Sequence, residues 1–406
     1  MRIALYHNAP SGGAKRAIYE WARRLAARHH IDVFTLSSAD HAFCDIRPFV
    51  QQHHVFDFTA RKLFGSPWGR LNQLQRWRDL GDLARLGQRI AQQINAGHYD
   101  LVFAHTCLYT FIPLCLQFVQ IPAVYYLHEP FGPKFMRQFQ RPYMKEDKWR
   151  QLLNRFDPLI GLYQNRLAAE QQKSMRQTRL LLANSHFTQE QMKIAFGVDT
   201  PVCHYGVDCD SFRVVPDVPK ETHVLSVGEL SPRKGFDFIV ESLGQIPVDQ
   251  RPKLKLACNS VNTLERHYVE NLAVQHGVDL QVLTNLNTSE LAVEYNKAQL
   301  CIYAPVLEPF GLVPVEAMSC GTPVVGVREG GVQESVVHNQ TGLLVERDPV
   351  QFATAVQYLL SNSRLVLEYG RNSREHILRH WTWDASVAQL ENHFLACVEQ
   401  KNPVRF

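Results

Sequence analysis

The sequence predicts an α/β protein made of two open, doubly wound sheets. Along the whole chain, short β-branched or leucine-rich runs alternate with longer amphipathic ones, the signature of βα units around a parallel sheet. The length points the same way: a domain takes about 100 to 200 residues, and this chain has 406. Two domains imply a cleft.

In chain order, the strands expected in the first half are RIALYH, IDVFTL, DLVFAH, AVYYLH and RLLLAN. Those of the second half are HVLSVG, LKLACN, LQVLT, LCIYAP, PVVGV and GLLVE. The opening MRIALYHN has one positive charge and an apolar run too short for a signal peptide, so it reads as the first strand. Gly12 and Gly13 follow, ahead of a helix whose apolar residues Ile18, Ala22, Leu25 and Ala26 share one face. Residues 55–98, less regular and rich in Arg, Trp and Leu, read as a helical insertion. Residues 101–127 are long and apolar enough to imitate a membrane span, but His105, Pro113, Gln117, Gln120 and Pro122 are costly in a bilayer. A strand, a short buried helix and a second strand fit better there. Thr188 and Gln191 form a capping-box pattern that starts a helix just after Asn184 and Ser185. The proline-rich stretch 201–221, with its poor periodicity, is the expected switch between the halves.

Composition excludes several classes. At 45% hydrophobic and 20% charged the chain is ordinary globular protein, neither disordered nor fibrous. Forty-three basic against thirty-nine acidic residues give +4, too mild for nucleic acid as the main partner. The nine cysteines form no CxxC pair and no Cys/His ligand spacing, so they read as reduced thiols of a cytoplasmic protein. GxGxxG, GxxxxGK[ST] and HExxH are all absent, which removes the usual support for dinucleotide binding, P-loop chemistry and zinc proteolysis.

Ligands of open α/β sheets bind beyond the carboxyl ends of the strands. Those ends carry HNAPSGGAKR, HEPFG, NSHFTQE, GELSPRKG, EPFG and REGGVQE. A glycine pair at 12 and 13 either admits an anionic group to the backbone and the positive helix end or simply makes a tight turn. Arg233 and Lys234, adjacent cations after a strand, suit a diphosphate, whose charge they stabilise as it leaves. LCIYAP delivers Glu308, Gly311 permits an unusual turn, and Pro314 is tolerated only in the first turn of a helix. Leu312 and Val313 then offer free amides to phosphate oxygens, and Glu316, one turn in, reaches the same pocket. Two carboxylates around a phosphate seat fit a ligand hydroxylated at both ends, as a nucleotide sugar is.

EPFGLVPVE resembles the E-x7-E motif of the family 4 glycosyltransferases, retaining enzymes of the GT-B fold. SCGTPVVGVREGGVQESVVHNQTGLLV, SVGELSPRKG, ANSHFTQEQM, YGVDCDSF and WTWDASVAQL resemble the same family, strongly over residues 179–390. The resemblance implies two Rossmann-like domains facing each other across a cleft: an acceptor-side domain, 1–203, with the insertion at 55–98; a nucleotide-sugar-binding domain, 204–385; and a C-terminal helix, 386–406, returning to the first domain. It implies that Glu308 contacts hexose hydroxyls and Glu316 the ribose, while Phe310, Gly311, Leu312 and Val313 line sugar and phosphate with their backbone. Lys234 with Arg233 holds the diphosphate, Gly12 and Gly13 approach it from the other domain, and His128 matches the family histidine that faces the reacting sugar. Retention is implied to arise by attack on the face the diphosphate leaves, without an enzymic nucleophile, metal or other cofactor.

Two positions depart from the family. Glu229 stands where arginine is common, so Arg233 is expected to supply the missing charge; Tyr205 stands where asparagine is common, with only local consequences expected. The DCD at 208–210 matches a metal-binding pattern of another fold, but it lies within the family's GVD turn and reads as structural. The partners implied are a nucleotide-sugar donor and a hydroxylated acceptor. A nucleotide-sugar epimerase or hydrolase of the same fold, or a binding protein without turnover, is the alternative. Residues 60–80 and 131–151 interleave cations with aromatics, a pattern that lies on anionic membranes or forms solvated helix faces. The first option adds peripheral contact at the inner membrane face.

Overall fold

A strand buried on both faces belongs in a parallel sheet sandwiched between helices, and β1 (Arg2–Asn8) buries six of its seven residues. In the computed structural model, which describes residues 1–65, 68–130, 139–144 and 157–399, β1 pairs in parallel with β2 (His30–Leu36) on one side and β4 (Leu101–Cys107) on the other. With β3 (Gln52–Phe56), β5 (Ala123–Leu127) and β6 (Leu180–Ala183) they form a six-stranded sheet in the order β3-β2-β1-β4-β5-β6. The second sheet runs β12-β11-β10-β7-β8-β9. Its strands are β7 (His223–Val227), β8 (Lys253–Ala257), β9 (Leu280–Leu283), β10 (Leu300–Tyr303), β11 (Val324–Val327) and β12 (Gly342–Val345). Strand order reverses between β1 and β4 and between β7 and β10, and crevices at such reversals take ligands. Gly12 and Gly13 follow β1, Lys234 follows β7 and Glu308 follows β10. The topology thus puts the glycine pair at the crevice of the first sheet and Lys234 with Glu308 at that of the second.

Each of the eleven expected strands is present; β3 is an addition. QHHVF is polar and only partly buried at a sheet edge, so it has neither the apolar content nor the alternation that marks a strand. The insertion holds a long helix, Asn72–Ala96, which buries Leu80, Leu83, Leu86, Ile90 and Ile94. Residues 101–127 form β4, a 3-10 turn at Leu114–Gln117 and β5. Among the described residues no helix is long and apolar enough to cross a membrane.

The helix His186–Phe196 starts just after Ser185, as expected, but Thr188 is not its cap. Its cap is Ser185, extended at φ −162, whose Oγ accepts from the Thr188 amide at 3.0 Å. Thr188 is the third helical residue, and its hydroxyl instead donates to Asn184 Oδ1 at 2.7 Å. Residues 197–222, which lead from this helix to the second sheet, contain no helix or named strand.

Helix Trp383–Glu399 lies on the first sheet's side of the molecule. Trp383 meets Trp21 of helix Gly13–Leu25 at 5.7 Å between ring centres, Phe394 meets Phe103 at 4.9 Å, and Trp21 Nε1 donates to Ser386 Oγ at 3.0 Å. The two halves also meet at motif level. Ser185 donates to the Pro309 carbonyl, and Glu334 accepts from the amides of His186 and Phe187 at 2.9 and 3.0 Å.

Candidate active site

After β7, Ser231 leads into a 3-10 turn, Pro232–Lys234, that ends at Gly235 with φ 67. A Cβ at 235 would stand 2.1 Å from the Ala304 carbonyl, so glycine alone lets this turn lie against the end of β10. That approach sets Lys234 beside Glu308, and Lys234 Nζ donates to Glu308 Oε2 at 2.8 Å with both side chains mostly buried. Burial pushes the Glu308 carboxyl up; the Lys234 and Arg233 cations more than offset it and hold the group below its ordinary range. Glu308 is therefore ionised at neutral pH. The REGGVQE loop supports it from behind: the Gly331 amide donates to the Glu308 carbonyl at 2.8 Å, and a Cβ at Gly330 would come within 2.2 Å of that oxygen.

Gly311, at φ 95, turns the chain into helix Leu312–Ser319, whose first amides no side chain caps. Uncapped amides beside an ammonium make an anion seat. Gly13 lies directly opposite, since a Cβ there would stand 3.2 Å from Leu312 Cδ1. Gly12, at φ 144, has no atom within 4 Å of its Cβ position and borders open space. Phe310 keeps its ring in the core, 5.0 Å from that of Tyr205 and 5.6 Å from that of Trp381, which leaves its backbone for the site.

Glu316 is buried and accepts from the Tyr295 hydroxyl at 3.0 Å and, across the cleft, from Arg16. Burial raises its carboxyl above the ordinary range, with Arg16 opposing. Beside it opens a cavity of about 460 Å³ lined by Arg16, Tyr19, Phe43, Thr288 and Leu312. Arg16 was not foreseen, although it sits three residues beyond Gly13 in GGAKR and so on the same helix start.

Two expected residues stand apart from this seat. Arg233 turns to the rim and pairs with Glu129 of the first domain at 3.1 Å. His128 is buried, with Nε2 3.0 Å from His105 Nδ1 and Nδ1 2.5 Å from the Tyr205 hydroxyl. Its carbonyl accepts from Asn184 Nδ2 at 2.7 Å. Burial lowers the imidazole to about 3, so it is neutral at pH 7. Tyr205 thus does more than the local substitution expected: it occupies one nitrogen of the candidate catalytic histidine. The signal was the departure itself; only the fold shows which side chain it meets. Asp208 accepts from Ser211 Oγ at 2.8 Å and from the Asp210 amide at 3.2 Å, within its own turn.

Residues 11–211 match the family described as Glycosyltransferase Family 4, and residues 210–376 that described as Glycosyl transferases group 1. The chain belongs to the family 4 glycosyltransferases of GT-B type. Two curated relatives are D-inositol 3-phosphate glycosyltransferases. The one from Catenulispora acidiphila is 28% identical over 56% of this chain and 58% of its own length; the one from Geodermatophilus obscurus is 25% identical over 96% and 86%. Among solved structures, Anabaena Alr3699/HepE in complex with UDP-glucose superposes with a TM-score of 0.71 at 21% identity, covering 98% of this glycosyltransferase and 100% of that chain. The cleft between the two sheets is the glycosyltransferase's candidate active site.

Proposed function

We propose that the enzyme moves a hexose from a nucleoside-diphosphate sugar to a hydroxyl acceptor with retention of anomeric configuration. The observation that carries this reading is Lys234 held at 2.8 Å from Glu308, four residues ahead of the uncapped start of helix Leu312–Ser319. In the reaction, the helix amides and Lys234 receive the diphosphate, Glu308 accepts hydrogen bonds from the hexose, and Glu316 exchanges Arg16 for the ribose hydroxyls. The acceptor hydroxyl attacks the face that the diphosphate leaves: its oxygen bonds to the anomeric carbon, the bond to the phosphate oxygen breaks, and that oxygen takes the proton. Lys234 is worth most at that moment, because negative charge grows on the leaving group there. Lys234, with Arg233 at the rim, supplies this charge in place of a metal, so chelation with EDTA leaves turnover unchanged.

The HepE complex makes UDP-glucose the first donor to try. Exposed Leu63, Phe64, Trp68, Leu71, Leu74 and Trp77 lie among exposed Arg61, Lys62, Arg70, Arg76 and Arg78, which supports contact with an anionic membrane on the reducing, cytoplasmic side. The stretch 131–151 lies outside the described residues apart from 139–144. Incubation with radiolabelled donor, with and without an acceptor extract, followed by NMR of the product's anomeric proton, tests the reading. Label moved to acceptor with retained configuration supports it. Release of free sugar or an epimerised donor without acceptor supports the hydrolase or epimerase instead, and an inverted product removes same-face attack.

A further inference from the structure

Arg141 belongs to the connection between β5 and β6, in the first half of the chain, yet its guanidinium is buried against the second sheet's helices. Its side chain is 7% exposed. Nε and Nη2 fork onto the two oxygens of Glu265, each at 3.0 Å, while Nη1 reaches Asp237 Oδ2 at 2.8 Å. Nη2 also donates to the Pro232 carbonyl at 3.4 Å, and the guanidinium lies over the Tyr268 ring, 5.0 Å from its centre. Glu265 is fully buried and takes a second donor, the Tyr143 hydroxyl, from the same short stretch as Arg141.

The placement matters more than the number of bonds. Pro232 and Asp237 stand on either side of the turn that carries Arg233 and Lys234. Arg141 therefore grips that turn at both ends from across the cleft. Lys234 itself hangs from four flexible methylenes, so where its ammonium rests depends on how firmly the turn is held. A planar guanidinium can address three acceptors in fixed directions, which an ammonium cannot reproduce.

We infer that Arg141 is a positioning residue, which fixes the Pro232–Lys234 turn so that Lys234 meets the leaving diphosphate. The inference rests on the transferase reading above. Arg141→Ala alone would strand a buried carboxylate, so the informative variant is Arg141→Met with Glu265→Gln, compared with Arg141→Lys. At saturating donor the paired variant is expected to lose roughly 10- to 100-fold in kcat, the scale of a misplaced reacting group, with nucleoside-diphosphate affinity changed less than about 3-fold. In a Lys234→Ala background the same pair should cost less than about 3-fold, because coupled residues are not additive. Arg141→Lys should fold normally and recover little of the rate. An additive loss in the Lys234→Ala background, or an unchanged kcat, overturns the inference. Amide exchange on the ligand-free protein judges it without turnover. The Lys234 and Val306 amides, bonded to Ser231 and Arg233 carbonyls, should exchange faster in the paired variant, and unchanged exchange also overturns the inference. Absence of transfer by the unaltered enzyme would instead strike the proposed function and leave the exchange result to decide the role of Arg141.

Discussion

Lys234 and His128 hold their places in the cleft through different contacts. Lys234 donates to ionised Glu308 at 2.8 Å, and in the proposed reaction its removal withdraws one preorganised contact from the growing charge of the leaving group. Lys234→Ala is expected to lower kcat on the order of 100- to 1,000-fold, about 3 to 4 kcal/mol, with a smaller loss of donor affinity; steady-state kinetics at saturating donor decides it, and normal turnover removes the leaving-group role. His128 titrates at 6.5 when unfolded and at about 3 in the fold, because burial disfavours its charged form. Between those values the unfolded chain binds the extra proton, so stability rises with pH there. The contribution is complete above pH 6.5 and is lost as pH falls toward 3. His7 and His105, also lowered by burial, act in the same direction. Urea unfolding from pH 7 to 4.5 should show a falling midpoint, and His128→Gln should flatten the slope by about one proton. An unaltered slope would mean that His128 is solvated.

At the scale of elements, the site depends on two loops lying closer than side chains allow. Gly330, at φ 62, brings the turn after β11 against the backbone of Glu308. Gly330→Ala adds left-handed strain to a clash with a carbonyl, for a cost of about 2 to 5 kcal/mol. It should lower Tm and abolish most activity together, because relief of the clash requires Glu308 to move away from Lys234. A calorimetric scan with a donor-binding titration checks both. A normal Tm with intact binding would show that the loop shifts freely.

The whole molecule closes on itself through scattered cross-domain contacts, among them Arg16 with Glu316, Arg233 with Glu129 and Ser185 with Pro309. Its outer surface carries the basic aromatic patch of the insertion, where Trp68 is 64% and Trp77 37% exposed. Trp68→Ala with Trp77→Ala, both away from the cleft, should weaken co-sedimentation with anionic vesicles while leaving turnover on a water-soluble acceptor unchanged. Binding of the native enzyme should require anionic lipid and fall as salt rises. Equal binding to neutral vesicles, or none to either, would remove the membrane contact.

The sequence by itself determined eleven of the twelve strands among the described residues, because β-branched or leucine-rich runs between amphipathic stretches have few other ways to hide their apolar surface. It also pointed to Gly13, Lys234 and Glu308, which the fold brings close to the start of helix Leu312–Ser319, because each follows the carboxyl end of a strand where ligands of such sheets bind. It did not reveal β3, a polar edge strand held by pairing with β2 rather than by burial, nor Ser185 as the cap, since the Thr188–Gln191 pattern lies inside the helix that Ser185 starts. Only the tertiary structure decided that Arg16 faces Glu316, that Tyr205 engages His128, that Arg233 turns to Glu129 and that Arg141 crosses the cleft. Those contacts join residues from 77 to 300 positions apart. Local propensity says nothing about which distant side chain will stand opposite; that follows from how the two sheets close.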